Sequence, residues 1–238
     1  MSEWKPKRFW KEARVVPEGA GHTVLLDGRT VKTPAKAPLV VPGAALAREI
    51  AAEWDAQVDV VDPRTMPFTR SANAAIDKVA IQFDEVAEIV AAYGDSDLLC
   101  YRADRPEELV ARQCAGWDPV LTWAREHQGI DLKAFSGVMH SPQSDPALAR
   151  IAARTRAMTA FELTSFHDLV SLSGSFLLGL AAVEGLMPAD AIWALSRLDE
   201  TWQEEQWGHD EEAAEMAALR RAAFLHAARF HALVAGQG

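Results

Sequence analysis

Seven histidines, two cysteines and a dense run of carboxylates are the residues of this 238-residue chain whose types suit chemistry. His167-Asp168 and His209-Asp210-Glu211-Glu212 set imidazole beside carboxylate, the donors that zinc sites and acid–base catalysis use. Both groupings are contiguous, however, and neighbouring helical positions do not face a common point. No H-E-x-x-H or Glu-x-x-His frame occurs, so the zinc-protease and di-iron carboxylate templates fail. Asp210, following Gly208 and His209, reads as the N-cap of a new helix, and His167 as a core or helix-surface histidine. Cys100 and Cys114 form no C-x-x-C pair and read as buried structural thiols in a reducing compartment. Gly19-Ala20-Gly21 lacks the third glycine of a dinucleotide fingerprint, and no Walker A loop occurs. Ser175 lacks the G-x-S-x-G frame of a nucleophile elbow and reads as a helix-packing residue. These residues predict no metal, no cofactor and no catalytic group.

Charge points elsewhere. The chain carries 24 Lys+Arg against 34 Asp+Glu, a formal net charge of -10, which disfavours nucleic acid and anionic membrane as partners. Asp199, Glu200, Glu204, Glu205, Asp210, Glu211, Glu212 and Glu215 lie in one stretch without a single Lys or Arg, together with Trp202 and Trp207. Glu200 and Glu204, four apart, share a helix face. Two readings follow: a solvated acidic face with both tryptophans turned inward, or a patch in which tryptophan anchors a partner and the carboxylates steer a basic one. The start of the chain, Trp4-Lys5-Pro6-Lys7-Arg8-Phe9-Trp10-Lys11, reads as a basic arm whose aromatics dock on the body, or as a stacking platform for single strands.

The elements that must position these residues fall into two patterns. Up to about Phe68, short apolar runs are cut by turn residues. Asp27-Gly28 between His22–Leu26 and Arg29–Thr33 predicts a type I′ hairpin, and Leu39-Val40-Val41 between prolines a further strand. Leu46, Ile50 and Trp54 predict one helix with Trp54 on its core stripe. Beyond Pro67 the period is helical throughout. One helix is expected through Ala72, Ile76, Val79, Phe83, Val86 and Val90, capped by Thr69 or Ser71, and stopping at Tyr93–Asp97. Others are expected to start at Pro106, Asp118-Pro119 and Ser144-Asp145-Pro146, with Gly129 as a stop. Glu162–Val183 reads as one buried helix, since its apolar stretch Leu169–Val183 falls short of the ~20 residues that span a bilayer. Pro188 to Gly208 reads as another, and Glu211–Val234 as the last, with Met216, Leu219, Ala223, Phe230 and Val234 on its inner face. Strands followed by helices imply an α+β fold. The expected division is a small β-rich N-terminal domain, residues 1–68, and a larger all-helical C-terminal domain, residues 69–238. No secretory signal is read at the start.

Certain segments also carry a resemblance. Arg8-Phe9-Trp10-Lys11, Leu26-Asp27-Gly28-Arg29-Thr30-Val31-Lys32-Thr33-Pro34, Ala52-Glu53-Trp54-Asp55, Asp97-Leu98-Leu99-Cys100-Tyr101-Arg102, Trp117-Asp118-Pro119 with Trp123, Ser196-Arg197-Leu198-Asp199-Glu200 and Gln206-Trp207-Gly208 resemble, in order, the assembly chaperones for the α subunit of F1 ATP synthase. The resemblance implies two domains, no enzymatic activity, and ATP-independent holding of the unassembled α subunit until it pairs with β. It implies a bacterial cytoplasmic member of a family whose eukaryotic relatives act in the mitochondrial matrix. It also implies a functional glutamate, for which Glu200 matches best and Asp199 next, so the expected client-binding residues are Glu200, Asp199, Trp202, Glu204 and Trp207. The alternative is an enzyme with a small-molecule site at the domain junction, using His167 and Asp168.

Overall fold

The computed structural model describes residues 7–137, 139–208 and 210–236, so Trp4 to Pro6 of the basic arm and His209 lie outside the described residues. The strands come first. β1 (Ala13–Glu18) pairs antiparallel with β2 (Gly21–Leu26), which also pairs with β3 (Arg29–Thr30) and, at His22 and Thr23, with β4 (Val40–Val41). The expected hairpin is present: Asp27 and Gly28 both have positive φ, +47° and +84°, as a type I′ turn requires. Asp27 adds a second function, because its carboxylate accepts the backbone N–H groups of Lys11 and Glu12 at 3.0–3.1 Å and so pins the entering chain to the turn. Those donors, Glu12's first, hold its carboxyl below the usual range.

α1 (Ala44–Asp55) lays Leu46, Ala47, Ile50 and Ala51 on a core that includes Val24, Leu26, Val31, Leu39 and Val41, with Trp54 half-buried at its side. The next helix departs from expectation. α2 (Pro67–Ala74) starts with Pro67 behind Met66, and its first N–H groups are capped from outside: Glu53 accepts Phe68 N at 2.6 Å, and Thr69 N and Thr69 Oγ1 at 2.7 Å. Neither Thr69 nor Ser71 is the N-cap, because a carboxylate from α1 already satisfies those donors. Burial pushes the Glu53 carboxyl up, against the pull of the bonds from Thr69 and Phe68. The helix does not run unbroken to Val90. It widens over Ala75–Val79 into a π turn closed by Ala80 N on Ala75 O, and α3 (Phe83–Ala92) begins afresh.

The rest is mostly helical, apart from a parallel pair of two-residue strands, β5 (Tyr101–Arg102) and β6 (Phe135–Ser136). α4 (Glu107–Trp123) starts at Pro106 as expected, but Asp118-Pro119 starts nothing, since Pro119 lies inside this helix. A proline there costs about 3 kcal/mol. The fully buried Trp117 and Val120 on either side hold the helix together across it, and the Trp117 indole donates to Leu195 O at 2.9 Å. A π turn over Ala124–Gln128 and Gly129 at φ +68° end the segment. α5 (Asp145–Arg156) is followed by α6 (Ala160–Ser173), whose start is a capping box in which Thr159 and Glu162 bond each other's backbone N–H.

The expected single helix to Val183 is two. Gly174 at φ +71° breaks it, and α7 (Phe176–Val183) starts on Ser175, whose hydroxyl accepts Leu178 N and donates to Asp97 Oδ1 at 2.7 Å. Ser175 therefore caps a helix rather than packing inside one. Asp97, wholly buried, also accepts Leu177 N and Leu99 N at 3.0 Å each. Its carboxyl is pushed up to about 6 by burial, against the pull of those donors. The segment after Pro188 likewise divides, into α8 (Ala189–Ser196) and α9 (Leu198–Trp207), with Arg197 between them outside helical geometry. α10 (Glu211–Val234) has the expected limits, and Asp210 Oδ1 caps it at Glu212 N and Ala213 N. Its inner face keeps Phe230 and Val234 of the expected residues and loses the rest. Phe224, Ala227, Phe230 and Leu233 are buried, whereas Met216 and Leu219 are exposed at 53% and 61%.

Chain contacts divide the protein into two compact units: the residues up to Phe83 with Thr159–Ser165 and those from Arg229 on, and Asp84–Met158 with Phe166–Ala228. The first holds the four-stranded sheet, α1 and α2, with Phe230 stacked between Phe68 and Phe161 at centroid distances of 6.5 Å. The second is built on Trp117, Phe166, Phe176 and Phe224, with Trp193 against Phe224 and Phe166 edge-on to Phe176. No helix among the described residues is long and apolar enough to cross a membrane.

Candidate client-binding surface on the acidic helix

Helical spacing sorts the five expected site residues onto two sides of α9. Asp199, Trp202 and Glu205, three apart, face α4. Asp199 Oδ1 accepts Gln113 Nε2 at 2.7 Å, and that buried amide also receives Ala103 N at 2.8 Å. The Arg112 guanidinium lies over the Trp202 ring, 4.8 Å from its centre, and grips Glu205 with two bonds of 2.9 and 2.7 Å. This bidentate contact lowers the Glu205 carboxyl and raises the Arg112 guanidinium from their ordinary values. Gly116 completes the seat, since a Cβ there would stand 3.1 Å from the side chains of both Leu195 and Leu198. Asp199 and Trp202 are thus occupied in fixing the helix.

Glu200, Glu204 and Trp207, spaced i, i+4 and i+7, form the other side. Glu200 bonds Arg197 Nη1 at 2.5 Å while its side chain stays 42% exposed. Glu204 is half-buried, with no ion pair among the described residues. Trp207 is 81% exposed at the helix end, where Gly208 follows at φ +96°. Neither tryptophan is a core residue. One is half-buried under an arginine, and the other stands in solvent. Sequence reasoning missed Arg112, Gln113 and Gly116, whose partners lie far along the chain. It also assigned Met216 and Leu219 of α10 to the interior, although they add exposed apolar surface to the acidic segment.

The other candidates are placed as follows. His167 Nδ1 lies 3.2 Å from Asp168 Oδ1 with both side chains over 40% exposed, a contact between sequence neighbours. Cys100 is buried and its thiol is pushed up to about 12, by burial first and then by the Asp97 charge, which makes it a poor nucleophile. Cys114 is exposed, contrary to expectation, because it stands on the outer side of α4. Among the described residues no cluster of His, Cys, Asp and Glu could hold a metal ion.

The architecture is a small sheet region followed by helices, one of which carries acidic side chains and an exposed tryptophan. Comparison with known proteins identifies the class as a chaperone. The family described as ATP12 chaperone protein matches residues 7–125. The crystal structure of ATP12 from Paracoccus denitrificans, 48% identical, superposes with a TM-score of 0.95 over 98% of this chain and all of that one. An Asp-to-Lys mutant of the same protein agrees equally well. A protein of Agrobacterium tumefaciens, 46% identical, matches with a TM-score of 0.89 over 95% of this chain and 85% of its own. The mitochondrial protein atp12 of Schizosaccharomyces pombe is 26% identical over 222 residues, 88% of this chain and 76% of that protein. The chain belongs to the ATP12 family of F1 ATP synthase assembly chaperones.

Proposed function

We propose that this protein binds the unassembled α subunit of F1 ATP synthase in the bacterial cytoplasm and holds it, without ATP, until the β subunit takes its place. The contact surface is α9, with Glu200, Glu204 and Trp207 meeting the client and Asp199 and Trp202 holding the helix to α4. The observation that carries this reading is Trp207, 81% exposed on the side of α9 that carries Glu200 and Glu204, of which, among the described residues, Glu200 alone is paired with an arginine. A large ring held in water next to negative charge suits a partner that is apolar and basic. A subunit of an obligate hetero-oligomer exposes such apolar surface before assembly. Burial of that surface supplies the binding energy, and competition by β for the same surface supplies release, so no nucleotide step is needed.

Replacing Glu200 by Lys tests the assignment. It sets two cations side by side at Arg197 and reverses the charge offered to the client. The expected result is α-subunit affinity reduced at least tenfold, measured by titration calorimetry, with a thermal midpoint within a few degrees of the parent. Unchanged affinity would reject Glu200 as a contact, and a lost thermal transition would make it a structural residue.

A further inference from the structure

A second site, opposite in charge to α9, lies in the first unit. The hairpin of β2 and β3, α1 and the segment entering β1 enclose a pocket of about 200 Å³. Its floor is apolar, formed by Trp10, Leu26, Val31 and Val61, all less than 8% exposed. Its rim is basic: among the described residues Lys7, Arg29 and Lys32 line it, no carboxylate does, and none of the three forms an ion pair. Such a rim is unexpected on a chain of net charge -10. Arg29 is held over the ring of Phe9, 5.7 Å from its centre, and Phe9 is itself 62% exposed at the lip. Trp10 meets Trp54 edge to face at 5.2 Å beside this floor.

The volume decides the size of the occupant. Sites for whole small molecules run from about 300 Å³ upward, so this pocket takes one large apolar side chain rather than a cofactor. The rim decides the charge beside it. We infer that the pocket binds an acidic segment of protein chain, with one bulky apolar side chain in the pocket and flanking carboxylates on Lys7, Arg29 and Lys32. Single-stranded nucleic acid fits less well. Stacking needs successive rings turned outward, whereas Trp10 is 4% exposed and Phe9 alone faces solvent at the pocket. The site is independent of the α9 surface and requires nothing of the α subunit.

The test uses the full chain and fluorescein-labelled peptides followed by anisotropy at low salt: a nine-residue peptide of aspartates and glutamates around one phenylalanine, the same peptide with alanine at the centre, and one with lysines in place of the acids. A labelled oligo-dT of similar length is the fourth probe. The expected result is saturable binding of the acidic phenylalanine peptide, at least tenfold weaker for the alanine and lysine versions and for oligo-dT. The double variant Arg29→Glu/Lys32→Glu, both at exposed positions, is expected to weaken that binding about tenfold or more with an unchanged thermal midpoint. Trp207→Ala is expected to leave it unaltered, so that failure of the α9 reading and failure of this one are separable. Equal binding of the alanine peptide, preference for oligo-dT, no saturable binding at all, or indifference to the double variant would each overturn the inference.

Discussion

Asp97 offers a pH experiment whose size follows from its surroundings. The carboxyl is completely buried at the point where α7 begins and accepts donors that include Ser175 Oγ at 2.7 Å and the N–H groups of Leu99 and Leu177 at 3.0 Å. Burial outweighs those donors and raises its value from 3.8 to about 6. Between those values the folded protein binds a proton that the unfolded chain does not, so this group's contribution to stability is greatest below pH 4, falls as pH rises to about 6, and is flat beyond. At about 1.4 kcal/mol per unit the full span is about 3 kcal/mol, of which about 2 kcal/mol separates pH 4.5 from pH 7.5. Asp97→Asn abolishes the titration, although it sets an amide NH2 against one of the donors, an offset of about 1–3 kcal/mol that does not change with pH. The assay is urea unfolding of parent and variant at both pH values. The parent's advantage over the variant should shrink by about 2 kcal/mol between pH 4.5 and 7.5. A constant advantage, or one that grows with pH, would show that the donors stabilise the anion at least as much as burial penalises it, and would refute the reasoning.

Three further substitutions probe the supports of the fold and of α9. Glu53→Ala leaves the buried N–H groups of Phe68 and Thr69 without an acceptor and should lower unfolding free energy by about 2–4 kcal/mol in urea titration. A loss under 0.5 kcal/mol would mean water replaces the cap. Gly179→Ala places a methyl 2.7 Å from Val170 Cγ2, where α7 meets α6, and should cost about 1–3 kcal/mol with an unchanged denaturant slope; no loss would show that α6 yields freely. Arg112→Ala removes a half-exposed ion pair and the cover over Trp202. It should cost little global stability, yet red-shift the part of the emission that a Trp202→Phe control assigns to Trp202, and an unshifted spectrum would contradict the contact.

What the sequence disclosed and what it hid follow from the range of the interactions. The Asp27-Gly28 turn, the Gly129 stop and the Asp210 cap were legible because each is settled within a few residues. The break at Gly174 was not, since a glycine in an apolar run is compatible with a continuous helix. What ends the helix there is a cap completed by Asp97, 78 positions earlier. The start of α2 was misplaced for the same reason, its cap being Glu53 on another helix. In α10, alanines on every side leave no clear apolar stripe, so Met216 and Leu219 could be assigned inward when the buried face is Phe224, Ala227 and Phe230. At the candidate surface the acidic run and its two tryptophans were plain in the sequence. Their division was not: spacing alone could not say that Arg112 and Gln113 fix one side of α9 to α4 and leave Glu200, Glu204 and Trp207 on the other.

The central claim is that this protein occupies, on the α subunit, surface that β later takes. The direct measurement is size-exclusion chromatography of the protein co-expressed with the F1 α subunit of its own organism, before and after addition of purified β and in the absence of nucleotide. The account predicts an equimolar complex that breaks up on addition of β, releasing the free chaperone, and a Trp207→Ala variant that fails to form it while keeping its own thermal midpoint. A soluble α subunit that elutes apart from this protein, or a complex that β joins without displacing it, would contradict the account.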